Sequence, residues 1–126
     1  MYSEENYLMI GNTRWHWASK IKKSWKYFHT SPSPIEFNDK DYSRVTWASV
    51  GPVPKSIKLC PSKNIILDDI PLTNLPSNLG IDRALAAWSA FQKHSSLKCK
   101  EQDLIIIDAG TILSVTKITS LSLIHI

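Results

Sequence analysis

Apolar and polar positions alternate between two regimes along the chain. Leu8 to Ile10 is a short apolar run that reads as a buried strand. After Gly11-Asn12-Thr13, Trp15 and Trp17 fall on one face while Arg14 and His16 fall on the other, the period-two pattern of a hairpin partner over Trp15 to Ala18. A third strand is expected at Ser24 to His29. Prolines make Thr30 to Ile35 a loop, strand character resumes over Arg44 to Val50, and Gly51-Pro-Val-Pro54 breaks it. Ile65 to Leu67 reads as another short strand. The spacing then changes: Ile81, Ala84, Leu85, Trp88 and Phe91 recur at helical intervals and predict one helix with an apolar stripe. Leu104 to Ile107 is continuously apolar, as expected of a central strand buried on both faces. The order is α/β.

One local device occurs twice. Tyr7 to Trp17 and Leu104 to Ser114 are each an apolar run, a glycine-threonine turn and a second run, hence strand, turn, strand. Glycine permits a sharp turn and close backbone approach to a ligand, and the neighbouring hydroxyl and N–H groups suit phosphate oxygens. Two such turns point to a nucleotide held between two domains. Aligned on Gly11 and Gly110, the copies differ two residues earlier, where the second has Asp108 and the first Met9. A carboxylate organises a hard cation and a thioether does not.

Composition narrows the field without choosing within it. The 126 residues suit one domain by length, and the formal charge of +4 favours anionic ligands without the concentrated field of a dedicated nucleic-acid binder. The only cysteines, Cys60 and Cys99, form no Cys-x-x-Cys pair, so idle thiols in a reducing cytosol are expected. The N-terminus has no signal-peptide pattern and no run approaches a membrane span, which makes a soluble, cytoplasmic protein the expectation. Ser120 to Ile126 contains no turn, cap or charge. It reads as an edge strand or as the product of a truncated or misread frame, and the second is expected because a flat apolar end invites aggregation.

Three motifs in register carry a family resemblance. Gly11-Asn12-Thr13 after a strand, Leu79-Gly-Ile-Asp-Arg83 opening a helix and Asp108-Ala-Gly-Thr111 after a buried strand resemble the signatures of type III pantothenate kinase, over roughly residues 7 to 118. Ala48-Ser-Val50 is similar to that family's mid-domain strand. The resemblance implies an actin-like, ribonuclease H-like ATPase fold, with a first domain over 1–101 and the start of a truncated second domain over 102–126. It implies ATP-dependent phosphorylation of pantothenate, the first step of coenzyme A biosynthesis, by a homodimer using Mg2+ and a monovalent cation, K+ or NH4+. On it, Asp82 is the catalytic base, and Gly80, Ile81, Asp82 and Arg83 hold pantothenate. Met9, Ile10, Gly11, Asn12, Thr13, Arg14, Trp15 and His16, with Gly110 and Thr111, contact ATP, and Asp108 ligates the cation.

The residues support these roles on their own chemistry to different degrees. Phosphoryl transfer needs cradled phosphates, neutralised charge and a base at the acceptor hydroxyl. Asp82 sits at a helix start after a glycine, where a carboxylate is exposed at a cleft edge, although the same position suits a charge that only stabilises the helix. Arg83 offers a guanidinium fork for a carboxylate, against the plainer role of a solvated arginine. The first turn departs from the family pattern, because Met9 and His16 stand where an acidic residue and a lysine are usual. Loss of one charge-stabilising group costs on the order of a hundredfold in rate. A noncatalytic nucleotide-binding or regulatory module is therefore an alternative. So is single-stranded nucleic-acid binding by Trp15, Trp17, Trp25, Tyr27 and Phe28 interleaved with Arg14, Lys20, Lys22, Lys23 and Lys26. The expectation is instead a hairpin with core aromatics on one face and solvated lysines on the other, with no nucleic-acid partner.

Overall fold

The computed structural model describes residues 4–32, 41–96, 103–109, 113–119 and 122–125. They divide into two compact units, Met1–Ile66 and Leu67–Ile126. Each is described by itself.

The first unit is built on three antiparallel strands and one parallel neighbour. β1 (Glu5–Ile10), β2 (Trp15–Ile21) and β3 (Ser24–Thr30) form a meander. β4 (Asp41–Tyr42) and β6 (Lys58–Leu59) pair as a short parallel ribbon, while β5 (Thr46–Ser49) joins β1 in parallel, giving the sheet order β3-β2-β1-β5. Leu8 and Ile10 of β1, Trp15 and Trp17 of β2 and Trp47 of β5 lie on one face and bury together with Val45 and Ile57. Burial of three indoles in so small a unit supplies much of its apolar driving force. Trp17 stacks on Phe28 at 5.9 Å, and the Trp47 indole N–H donates to the Cys60 carbonyl at 2.9 Å, satisfying a polar atom inside the core.

Ile65 to Leu67 is not a strand. A single bridge from Asn64 to Trp47 and the bond from the Ile65 N–H to the Trp47 carbonyl dock this segment on β5, after which Leu67–Asp69 coils into a 3-10 turn. With so little pairing, apolar content alone did not make it extended.

The second unit contains α1 (Ile81–Ser96) packed on β7 (Leu104–Ala109) and β8 (Leu113–Thr119), with β9 (Ser122–His125) completing an antiparallel sheet. The helix is found as the spacing predicts, but its most buried line runs through Ile81, Ala84 and Ala87, with Leu85, Trp88 and Phe91 half-buried beside it. Alanines let the helix approach closely, and the stacked Trp88 and Phe91 rings lie at its margin.

Among the described residues β7 is an edge strand of its sheet, with one neighbour and one open face. Leu104 and Ile106 turn inward, in register with buried Ile118 and Thr116, whereas Ile105 and Ile107 are 58% and 66% exposed. A run of consecutive isoleucines cannot report that its two faces differ, because both are apolar.

Candidate functional site: two glycine turns and a helix start

The turn after β1 gathers the first group of expected site residues. Pairing of β1 with β2 ends at Ile10 and Trp15, and the Gly11 N–H donates to the Arg14 carbonyl at 3.0 Å, closing the loop over Asn12 and Thr13. Glycine is needed for clearance, not for a left-handed backbone. No glycine among the described residues has positive φ, but a Cβ on Gly11 would stand 2.6 Å from the Arg14 carbonyl oxygen. Asn12, Thr13 and Arg14 are exposed, Ile10 and Trp15 are buried beneath them, and Met9 is half-buried one residue further back.

A second glycine, which sequence reading took only as a strand breaker, completes this turn. β1 and β5 run parallel with Ile10 beside Ser49, and the Val50 N–H donates to the Ile10 carbonyl at 2.9 Å. Gly51 is thereby brought against Asn12, whose Oδ1 would lie 2.9 Å from a Cβ there, and Ser49 Oγ donates to the Gly51 carbonyl. The exposed turn thus lies at the carboxyl ends of two adjacent parallel strands, the position at which open α/β sheets receive ligands. Its signal in the sequence was Ser-Val-Gly at the end of a strand, recognisable only once that strand is known to lie beside β1.

Gly80, Ile81, Asp82 and Arg83 open α1 in the second unit. The Gly80 carbonyl accepts the first helical bond from the Ala84 N–H at 3.2 Å, which makes Gly80 the residue capping the helix. Asp82 follows in the first turn and is exposed, with Oδ1 accepting from the Arg83 N–H at 2.9 Å. That oxygen folds back over Gly80, within 2.5 Å of where a Cβ would be. The carboxylate thus has the helix dipole and a backbone donor to stabilise its charge while facing solvent. Ile81 is buried and anchors the turn, and Arg83 is half-exposed.

Asp108 is exposed near the carboxyl end of β7, paired with Ser114. Gly110 and Thr111 lie outside the described residues, as does Cys99. Among the described residues no group of three or more His, Cys, Asp or Glu side chains gathers as a metal cage. The space a Cβ would take at Gly11, Gly51 and Gly80 is held by oxygens of the chain itself, so these glycines are required by the packing of their own turns. Among the expected site residues, Asp82 and Asp108 are exposed carboxylates.

One expectation about side chains is revised, and one thiol gains a defined environment. Trp15 and Trp17 are core, but Trp25 and Phe28 are half-open and Tyr27 is 73% exposed, so β3 does not keep its aromatics inside. Trp25 stacks on Tyr27 at 6.0 Å, and the Lys20 ammonium lies 5.6 Å from the Trp25 ring centre. Cys60 is half-exposed with its sulfur 3.0 Å from Ser62 Oγ. Hydrogen bonding from the Ser62 side chain, then from its backbone, holds the thiol below its ordinary pKa.

The strands and the one long helix among the described residues define a mixed α/β protein. In sequence, the chain is similar to type III pantothenate kinases. It is 39% identical over 116 residues to the enzyme of that name from Thermosynechococcus vestitus, covering 86% of this chain and 42% of the relative. The proteins of the same name from Synechococcus elongatus and Nostoc sp. are 29% and 28% identical, with 48% and 49% of their lengths covered. The chain therefore spans less than half the length of the curated relatives it matches. No family model and no solved structure matches. Among the described residues no helix is long and apolar enough to cross a membrane.

Proposed function

We propose that this chain contributes to ATP-dependent phosphorylation of pantothenate to 4'-phosphopantothenate, the first step of coenzyme A biosynthesis. The observation that carries the proposal is the 39% identity to the Thermosynechococcus vestitus kinase over 86% of this chain. In this reading the chain is the first domain, and the opening of the second, of an actin-like fold that acts as a homodimer. The residues it assigns to ATP are those from Met9 to His16 in the first unit, together with Gly110 and Thr111. Mg2+ supplies charge neutralisation at the ATP phosphates, and Asp108 helps hold K+ or NH4+.

Each role follows from what the residue offers. Asp82 receives the proton of the pantothenate hydroxyl as that oxygen attacks the terminal phosphoryl group, and its solvent-facing carboxylate can be reached by such a substrate. Arg83 pairs its fork with the pantothenate carboxylate, while Gly80 and Ile81 shape the approach. Arg14 and His16 extend from the turn beside the phosphates.

The decisive experiment is a chimera in which this chain replaces the matched portion of the Thermosynechococcus vestitus kinase. ADP release that depends on pantothenate, with Mg2+ and K+ present, supports the proposal. Release indifferent to pantothenate overturns it.

Met9 favours a second reading, a noncatalytic nucleotide-binding or regulatory member of the same fold, for which the chimera binds ATP and releases no ADP. The exposed Trp25, Tyr27 and Lys20 surface favours single-stranded nucleic-acid binding, which requires affinity for an oligonucleotide that falls steeply with salt.

A further inference from the structure

Three side chains with soft or borderline donor atoms stand in one row across the meander. Met9 of β1 is the register partner of His16 of β2, and His16 is the partner of His29 of β3. Directly opposed residues in antiparallel strands share a face with their Cβ atoms about 4.5–5.5 Å apart, so the row places a thioether and two imidazoles on the same side of the sheet. Both histidines are exposed, and their ring centres are 6.3 Å apart with the planes tilted by 52°. A metal about 2 Å from one nitrogen of each ring sets the ring centres on the order of 5–6.5 Å apart, from tetrahedral to linear angles. The observed separation is within that span before any side-chain adjustment.

The geometry points to a copper(I) site on this face, with His16 and His29 as the chelating pair and Met9 as the third donor. The donor set selects the metal. Carboxylates and carbonyls suit Mg2+, imidazole suits several late transition metals, and a thioether turns the preference towards Cu(I). Met9 thereby has a chemical role that its poor suitability for a hard cation does not give it. The site shares Met9 and His16 with the residues assigned to ATP in the kinase reading, but it needs neither nucleotide nor pantothenate, so its titration succeeds or fails separately from that reading.

The test is a competition titration of the 126-residue chain with Cu(I), under anaerobic ascorbate and a chromogenic Cu(I) chelator. It is done in a Cys60→Ser, Cys99→Ser background so that thiols do not take the metal. The expected result is one Cu(I) per chain, with the His16 and His29 imidazole NMR signals moving and those of His94 and His125 unchanged. His16→Ala or His29→Ala lowers affinity at least about tenfold, and Met9→Leu does so for Cu(I) while leaving Zn2+ affinity within about twofold. Should an alanine variant lose its circular-dichroism signature, His16→Gln and His29→Gln carry the same expectation. Undiminished Cu(I) affinity in the folded double-histidine variant, or shifts confined to His94 and His125, overturns the proposal.

Discussion

Gly11 shows how much of this site depends on an absent side chain. The Arg14 carbonyl lies where a Cβ would go, and that oxygen belongs to backbone fixed by the Ile10–Trp15 pair. Gly11→Ala must therefore spread the turn, at a cost of about 1–3 kcal/mol, read as a lower urea midpoint with unchanged slope. In the chimera, Asp82→Asn is expected to reduce pantothenate-dependent ADP release by about a hundredfold or more if Asp82 is the base proposed above, because the substitution removes the carboxylate while the helix cap at Gly80 remains. Wild-type turnover by that variant would refute the role. Met9→Asp is expected to raise the same rate by about a hundredfold if the turn after β1 holds phosphate as proposed, through the carboxylate it adds beside that turn. Cys60 offers a pH test. A thiol with a lowered pKa keeps its reactive thiolate to lower pH, so alkylation of Cys60 should reach half its maximal rate below the pH needed by a free cysteine. Ser62→Ala should move that profile upward.

At the scale of elements, the two-residue β2–β3 turn carries a visible cost. Ile21 pairs with Ser24, leaving Lys22 and Lys23 to turn the chain, and Lys22 has φ of 59°. A left-handed residue at the first central position of a tight hairpin favours glycine. Lys22→Gly should therefore stabilise the hairpin by about 1 kcal/mol, seen as a raised thermal midpoint. Most elements here were legible in periodicity: β1, β2, β3, β5 and α1 fall where the pattern puts them, with β1, β2 and β3 longer than expected by a few residues at most and β5 shorter. Two were not. Ile65 to Leu67 has strand-like residues but no strand to pair with beyond one bridge, and the two-residue β4 and β6 are too short for any period to register. The glycine at position 51 was readable as a break and unreadable as a neighbour of Asn12, because that proximity arises from the parallel pairing of β1 with β5.

The whole molecule leaves a patch that no single element explains. Ile105, Ile107 and Leu113 share the outward face of β7 and β8, each more than half exposed. Such a surface drives self-association, so Ile105→Lys with Ile107→Lys should shift light-scattering mass towards the monomer at high concentration. Stability should change by less than about 0.5 kcal/mol, since neither side chain is in the core. By itself the sequence determined where most of the chain turns, which of the longer stretches extend and which coil, and which residues are candidates for phosphate and proton chemistry, because period, glycine and charge are local properties. Tertiary structure decided which face of each strand is buried, that β7 is an edge among the described residues, that Gly51 supports the first turn, and that Met9, His16 and His29 form one row. Those facts depend on which strands become neighbours. Pairing is set by burial summed over many residues far apart in the chain, and no window of sequence contains it.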